Sequence, residues 1–327
     1  MKAVVMYPDA LAPVISERKA PTMGDVHEGQ LLIKVKAAAI KNLDISKAMG
    51  KHYSSRSLLQ PEGQIIGTDG VGVTSEGNKV YGFSKGGVLA EYALIDKSLS
   101  VPVPAALDEA TAAAIPNAVM GSAMALLFRA GLKAGETVLI NGATGVTGRM
   151  AIQVAKHYGA GSVIVTGRNQ DVWPQLQALG AEKWITLTEE GPSLTQSICR
   201  QHSETPIDVV LDYLWGPSAS AILDGLKGDG DFGHPVRYVS IGGMAGDRIA
   251  LSSSILRSTP LTLMGSGLGS WSKQEVGKLI QEILPTFFQL AVEQKLTLTT
   301  KEYKLEDISA MWNAKLPSGI RAVVRLS

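Results

Sequence analysis

The sequence predicts an α/β protein in two parts: a doubly wound parallel-sheet domain inserted into a β-rich domain built from both ends of the chain. Three observations predict it. From Glu136 onward, continuous apolar strand-like runs alternate with helical stretches, the pattern of strands covered on both faces of a parallel sheet. The first hundred or so residues instead carry short strand-like runs punctuated by Gly, Pro and Asp. The last strand-like runs resemble that first region more than the middle. A chain of 327 residues also exceeds what one modest core usually serves.

Taken in order, "MKAVVMY", "QLLIKVKAAAI", "NKVYGF" and "LAEYALI" read as short strands. Near residue 106 the texture changes to the Ala-rich "ALDEATAAAIPNAVMGSAMALLFRAG". Asp108 is its N-cap, Pro116 divides it into two helical stretches, and Gly131 is its stop. The alternating series then begins with the strand "TVLI" and a helix over 146–158, whose apolar Val146, Met150, Ala151, Val154, Ala155 and Tyr158 share one face. The strand "SVIVTG" and the helix "VWPQLQALG" follow, then "KWITL", a helix near 192–202, "DVVLDYL", a helix near 217–226, "RYVSIGG" and "LTLMGS". A long helical stretch after Ser270 runs to about Glu293. The chain then reaches "KLTLTTKEYKL", a short helix near 307–313 and the strand "GIRAVVRL".

Composition removes several function classes. Thirty-one basic and 30 acidic residues leave the chain nearly neutral, and no run of like charge marks a nucleic-acid or anionic-membrane surface. No apolar run reads as a membrane span, and the apolar stretch at the start is too short for a signal peptide. The only cysteine, Cys199, allows no internal disulfide and no cysteine-rich metal site, and reads as a packed small residue. The expectation is a cytoplasmic protein whose partners include neither nucleic acid nor membrane.

The segment "VLINGATGVTGRM" carries the chemistry. A strand enters a helix through Gly142, Gly145 and Gly148, the arrangement that lets a dinucleotide pyrophosphate approach backbone N–H groups at a helix N-terminus. Thr144, Gly145, Val146, Thr147 and Gly148 are the candidate phosphate contacts, with Ala143 where the first glycine of the usual fingerprint stands. The second strand of the series ends "VIVTGRNQD". An acid there would take a ribose 2′-hydroxyl. Gly167, Arg168 and Asn169 offer instead a guanidinium suited to a 2′-phosphate, so the reading is NADPH. Strand ends of such sheets carry ligands, which adds "SIGG" (Ile241, Gly242, Gly243) and "MGSG" (Gly265, Ser266) as candidate nicotinamide-lining groups.

Together with "GTDGVG", "NKVYGF", "LAEYALI" and "NGATGVTGRMAIQVAKHYGA", the whole chain resembles the medium-chain dehydrogenase/reductase superfamily, closest to its zinc-free quinone oxidoreductase-like branch. The resemblance implies a GroES-like β-rich catalytic domain (residues 1–115 and 270–327), a Rossmann NADPH-binding domain (116–269) and a homodimer. Zinc-dependent members hold catalytic zinc with Cys, His and Cys. The corresponding positions here are Lys41, Thr68 and Asn117, a poor set for a borderline-soft cation. Without that Lewis acid, alcohol oxidation is disfavoured, and hydride transfer from NADPH to a quinone or α,β-unsaturated carbonyl is the expected reaction. An enoyl-thioester reductase and a non-catalytic NADPH-binding protein, redox-sensing or crystallin-like, are the alternatives.

In the family, the segment "AAIKNLDISKAMGKHYSS" faces the nicotinamide. Lys41 and Asn42 are donors that could polarise a substrate carbonyl, and His52 and Tyr53 could do likewise or deliver a proton. Lys41 reads equally as a solvated lysine, and His52 with Tyr53 as a loop edge. Many quinone oxidoreductases have a tyrosine where Ser46 stands, so that tyrosine's role does not carry over. Asp44 is expected to brace its loop.

Overall fold

The computed structural model describes residues 1–8, 10–52, 61–187, 193–230 and 233–326. Two compact units emerge: Met1–Asn117 together with Gly277–Ser327, and Ala118–Val276.

The first unit is built from strands β1 (Lys2–Met6), β2 (Val14–Glu17), β3 (Gln30–Ala39), β4 (Gln64–Ile65), β5 (Asp69–Thr74), β6 (Lys79–Phe83), β7 (Tyr92–Asp96) and β8 (Val101–Pro102). The second unit contributes β9 (Thr137–Asn141), β10 (Ser162–Gly167), β11 (Lys183–Thr186), β12 (Val209–Asp212), β13 (Val236–Ser240) and β14 (Leu261–Gly265). The chain then returns to the first unit with β15 (Thr299–Lys304) and β16 (Ile320–Arg325).

In the first unit β2, β1 and β4 form a three-stranded antiparallel sheet. A seven-stranded sheet runs β15-β16-β3-β5-β6-β8, with β7 also on β3. Only the β15–β16 pair in it is parallel, and β16 joins β3 through Val323–Ala39 and its neighbours, so the tail strands complete the N-terminal sheet. Val4, Ile33, Val35, Val88, Leu89, Ile95 and Val324 form its core. This is the GroES-like half.

The second unit is one parallel sheet ordered β11-β10-β9-β12-β13-β14. Counted within the unit, that order is 3-2-1-4-5-6, the dinucleotide-binding arrangement whose ligand crevice opens at the carboxyl ends of the strands where the order reverses. That reversal lies between β9 and β12, whose ends meet as the pair Asn141–Asp212. Helix Val146–His157 buries Met150, Ala151, Val154 and Ala155 of the expected apolar stripe and Ile152 besides, while Val146 and Tyr158 are only partly buried.

One helix departs from expectation. Pro116 does not divide the Ala-rich segment; Glu109–Met124 is one helix containing it, continued by a π-turn to Ala130 and closed by Gly131 at φ +57°. Ala112–Ala114, Ile115 and Ala118 are all fully or almost fully buried, so packing holds the helix despite the lost backbone bond. Joined, Glu109–Ala130 is long and apolar enough to cross a membrane by length and composition, yet 72% of its apolar window is buried inside the protein, as in a core helix.

Candidate functional site

The turn after β9 has the glycine geometry that a phosphate cradle needs. Gly142 sits at φ +90°, the left-handed region that a side chain resists. A Cβ on Gly148 would lie 2.5 Å from Ala143 Cα and from Gly142 O, so only glycine lets the helix start this close to the turn. Gly145, the N-cap of the helix, is different: a Cβ there would meet nothing within 4 Å. Packing does not require its bare backbone, whereas an approaching ligand would. The first N–H groups of the helix, at Val146, Thr147 and Gly148, have no intrahelical acceptor and are the natural phosphate donors. Thr144 lies beside Gly167, where a Cβ would come within 2.6 Å of its methyl carbon.

A buried polar network ties the ends of β9, β10 and β12 to the middle of β13 beneath this turn. Asn141 Nδ2 donates to Asp212 Oδ1 (2.7 Å) and to Ser218 Oγ (3.0 Å), and Thr166 Oγ1 donates to Asn141 Oδ1 (2.7 Å). Thr166 Oγ1 in turn accepts the Gly142 N–H at 3.1 Å. Asp212 also accepts the amides of Leu214 (2.9 Å) and Trp215 (3.0 Å) and the Tyr238 hydroxyl (2.8 Å). Burial and the Asp212 charge hold that phenol far above its usual range, so it stays a donor. Sequence reading missed Asn141, Thr166, Asp212 and Tyr238. Their signal was a polar residue closing or interrupting an otherwise apolar run.

The remaining cofactor candidates fall at the same sheet edge. Arg168 and Asn169 are exposed beyond β10, and Asn169 uses its side-chain oxygen to cap the next turn through Asp171 N (2.9 Å). Ile241 and Gly242 donate their amides to Asp212 O at 2.8 and 3.2 Å. Gly243 and Gly265 are exposed, and a Cβ on Gly265 would again meet nothing within 4 Å. Ser266 is buried, with its amide on Ser240 O (2.8 Å) and its hydroxyl receiving Trp271 Nε1 (3.1 Å).

In the first unit the candidate residues behave differently. Lys41 is buried, and its ammonium contacts Asp69 Oδ1 (2.7 Å), Asp44 Oδ2 (3.0 Å) and Ala39 O (3.1 Å). It is neither a solvated lysine nor a donor left for a substrate, because three protein oxygens engage its three protons. Burial alone would push the ammonium down, but Asp44 and Asp69 outweigh it and hold the lysine above its ordinary value. Asp44 further accepts Lys41 N (3.0 Å), Thr68 N (2.9 Å) and Thr68 Oγ1 (2.7 Å), and so joins the start of helix Asn42–Ala48 to the residue before β5. Asp69 takes the Tyr81 hydroxyl at 2.8 Å. Arg321, also buried, is pulled down to about 10 by burial, against the opposing charges of Asp44 and Asp69.

Asn42 is exposed at the first turn of that helix, and His52 is half-buried with its amide on Ser46 O (3.2 Å). Burial, and then Lys47, lower the His52 pKa, so the ring is neutral at pH 7. Tyr53 lies outside the described residues. Zinc does not fit this donor set. At Lys41, the first of the three positions that the resemblance sets against zinc ligands, an ammonium is already fixed by two carboxylates. Among the described residues no group of three His, Cys, Asp or Glu side chains could hold a metal ion.

The family model described as zinc-binding dehydrogenase matches residues 146–284. A probable NADPH-dependent quinone reductase of Emericella nidulans is 26% identical, over 95% of this chain and 96% of that one. These matches support a likeness to the medium-chain dehydrogenase/reductase superfamily, on the side of its quinone oxidoreductase-like branch. Another relative, the 2-methylene-furan-3-one reductase of Solanum lycopersicum, is 33% identical but is matched over 51% of this chain and 47% of its own length. The fold also matches a mycobacterial quinone oxidoreductase structure at a TM-score of 0.80 and 18% identity, with 100% of each chain covered.

Proposed function

We propose that this chain is a zinc-independent NADPH-dependent reductase that passes hydride to a quinone or an α,β-unsaturated carbonyl. The observation that carries the reading is the end of β10, where Arg168 stands exposed and no acid occupies Thr166, Gly167 or Arg168, beside a glycine turn whose Gly145 opens onto free space. The reduced nicotinamide, when bound, supplies the hydride. Thr144 to Gly148 hold the pyrophosphate, Arg168 and Asn169 select the 2′-phosphate, and Ile241 to Gly243 with Gly265 and Ser266 orient the nicotinamide end. Asn42 and the neutral His52 are the donors proposed to meet the acceptor oxygen as charge develops on it. Lys41 keeps the segment that carries them in place.

The quinone and furanone reductase names of the two relatives support this acceptor class. The test is NADPH oxidation against a panel of quinones, enones and enoyl thioesters. The expected result is acceptor-dependent turnover that a metal chelator leaves unchanged. Turnover confined to enoyl thioesters would replace the acceptor, and no turnover with any of them would leave a non-catalytic NADPH binder.

The same reading includes a homodimer. β14 is the edge strand of the parallel sheet, with β13 as its partner among the described residues. It leaves Leu263 38% exposed, and Leu268 just beyond it 65% exposed. An unpaired apolar edge is covered most simply by the same edge of a second copy. Light scattering should then give about twice 34.5 kDa for the native chain and about half that for Leu263→Lys.

A further inference from the structure

Several partly buried arginines in this protein are neutralised by acids. Arg129 makes a two-point pair with Glu275, both contacts at 3.0 Å, Arg237 reaches Glu136 at 2.6 Å, and Arg325 reaches Glu302 and Glu109 at 2.8 and 2.9 Å. Arg149 does not fit this pattern. It follows Gly148 in the first turn of its helix and is half-buried. Its side chain folds back so that Nε donates to Thr144 O (3.0 Å) and Nη1 to Gln175 Oε1 (2.7 Å). Both acceptors are neutral, and among the described residues no carboxylate pairs with it. Burial lowers its pKa with no acid opposing the shift.

The position of this unmatched charge is specific. Thr144 belongs to the glycine turn after β9, and Gln175 to the helix Trp173–Ala178 that follows Arg168 and Asn169. The guanidinium therefore bridges the turn after β9 and the first α-helix after β10, the side of the sheet where this topology places the adenosine end of a dinucleotide. Its two bonds use two of five N–H groups. A half-buried cation without a counter-charge is costly, and an anion arriving there would remove that cost. We propose that Arg149 is a second guanidinium for the phosphate on the adenosine ribose, acting with Arg168 to select NADPH over NADH. This rests on the NADPH reading above. Gln175 and the Thr144 carbonyl orient the fork, and the remaining N–H groups take the phosphate oxygens.

The test compares the full-length native chain with Arg149→Gln and Arg149→Lys, using NADPH, NADH, 2′,5′-ADP and 5′-ADP as ligands in calorimetric titrations. In the native chain NADPH and 2′,5′-ADP should bind more tightly than their unphosphorylated counterparts; equal binding would defeat the NADPH reading itself, before any variant is considered. Arg149→Gln should weaken NADPH and 2′,5′-ADP by about tenfold, the loss expected for one charge-assisted contact. NADH and 5′-ADP should stay within about twofold, since the lost contact is not made to them. Equal losses for all four ligands, or none, would overturn the proposal in favour of a brace for the turn. Arg149→Lys keeps the charge but loses the planar fork that Gln175 and the Thr144 carbonyl orient, so its preference for the 2′-phosphate should be smaller than native; if Arg149→Gln does not fold, a lysine variant with the full native preference overturns the proposal.

Discussion

The two units bury polar networks around carboxylates, and they do so in opposite ways. In the first unit Asp44 and Asp69 face Lys41, with Arg321 buried close enough for both acids to act on it, so two negative and two positive charges balance within the protein. In the second unit Asp212 is fully buried and held by neutral donors alone: Asn141, Tyr238 and two backbone amides. Two arginines of that unit stand apart from the acids that pair with Arg129 and Arg237: Arg168 is exposed beyond β10, and Arg149 is bonded to neutral oxygens. The first network is electrically closed and serves structure. The second fixes strand ends and leaves positive charge available for an anionic ligand.

The hardest test of that contrast is Lys41→Met. Removing the one ammonium that both carboxylates touch leaves two buried acids without it, and losing one partner of a buried pair costs about 3–5 kcal/mol. Denaturant titration of the variant should show a loss of this size. A loss below about 1 kcal/mol would mean that the cluster is not the closed ionic unit described. Asp212→Asn should cost less, about 1.5–3 kcal/mol, because the bonds to a charged acceptor weaken without stranding an opposite charge.

Lys41 also marks where sequence stopped being informative. The parallel half was legible because its strands are continuous apolar runs and its glycines fall at fixed offsets, both local signals. Lys41 was not, because its main partner Asp69 lies 28 residues away and no local pattern says that they meet. Pro116 misled for a related reason, since local propensity favours a break that the buried alanines around it override. Arg149 was passed over because an arginine at a helix start resembles any solvated arginine. What distinguishes it is the absence of a neighbouring acid, which is a property of three dimensions.

Two glycines of one turn separate structure from ligand. Gly148→Ala forces a methyl against backbone atoms at 2.5 Å and should destabilise the second unit by about 1–3 kcal/mol, as overpacking does. Gly145→Ala meets no protein atom within 4 Å, so its melting temperature should stay near that of the native chain. Its affinity for NADPH should nevertheless fall, because the new methyl occupies the open side of the turn. If Gly145→Ala binds NADPH as well as the native chain does, the pyrophosphate does not lie there. Arg168→Ala should leave melting unchanged and weaken NADPH by about tenfold relative to NADH, a contact at an exposed guanidinium being worth about 1.4 kcal/mol or less. An equal loss for both cofactors would remove Arg168 from the selection of the 2′-phosphate.

The smallest effect is in the pH dependence of the closed network, and its sign follows from which state holds more protons. Burial and Asp69 raise the Tyr81 phenol well above its ordinary value, and Lys41 is raised by Asp44 and Asp69 in spite of burial. Both groups therefore stay protonated in the folded state at a pH where the unfolded chain would release them. Their stabilising contribution is complete below the unfolded values, near pH 10, and declines as pH rises beyond them. Arg321, lowered to about 10 by burial, works in the opposite direction over the same range, so the total slope is shallow. Comparison with Tyr81→Phe isolates one proton. The stability gap between the native chain and this variant should be constant from pH 6 to about 9, then close by about 1.4 kcal/mol per pH unit above about 10. A gap that widens there would mean that the phenol ionises more readily folded than unfolded, and that Asp69 is not its hydrogen-bond acceptor.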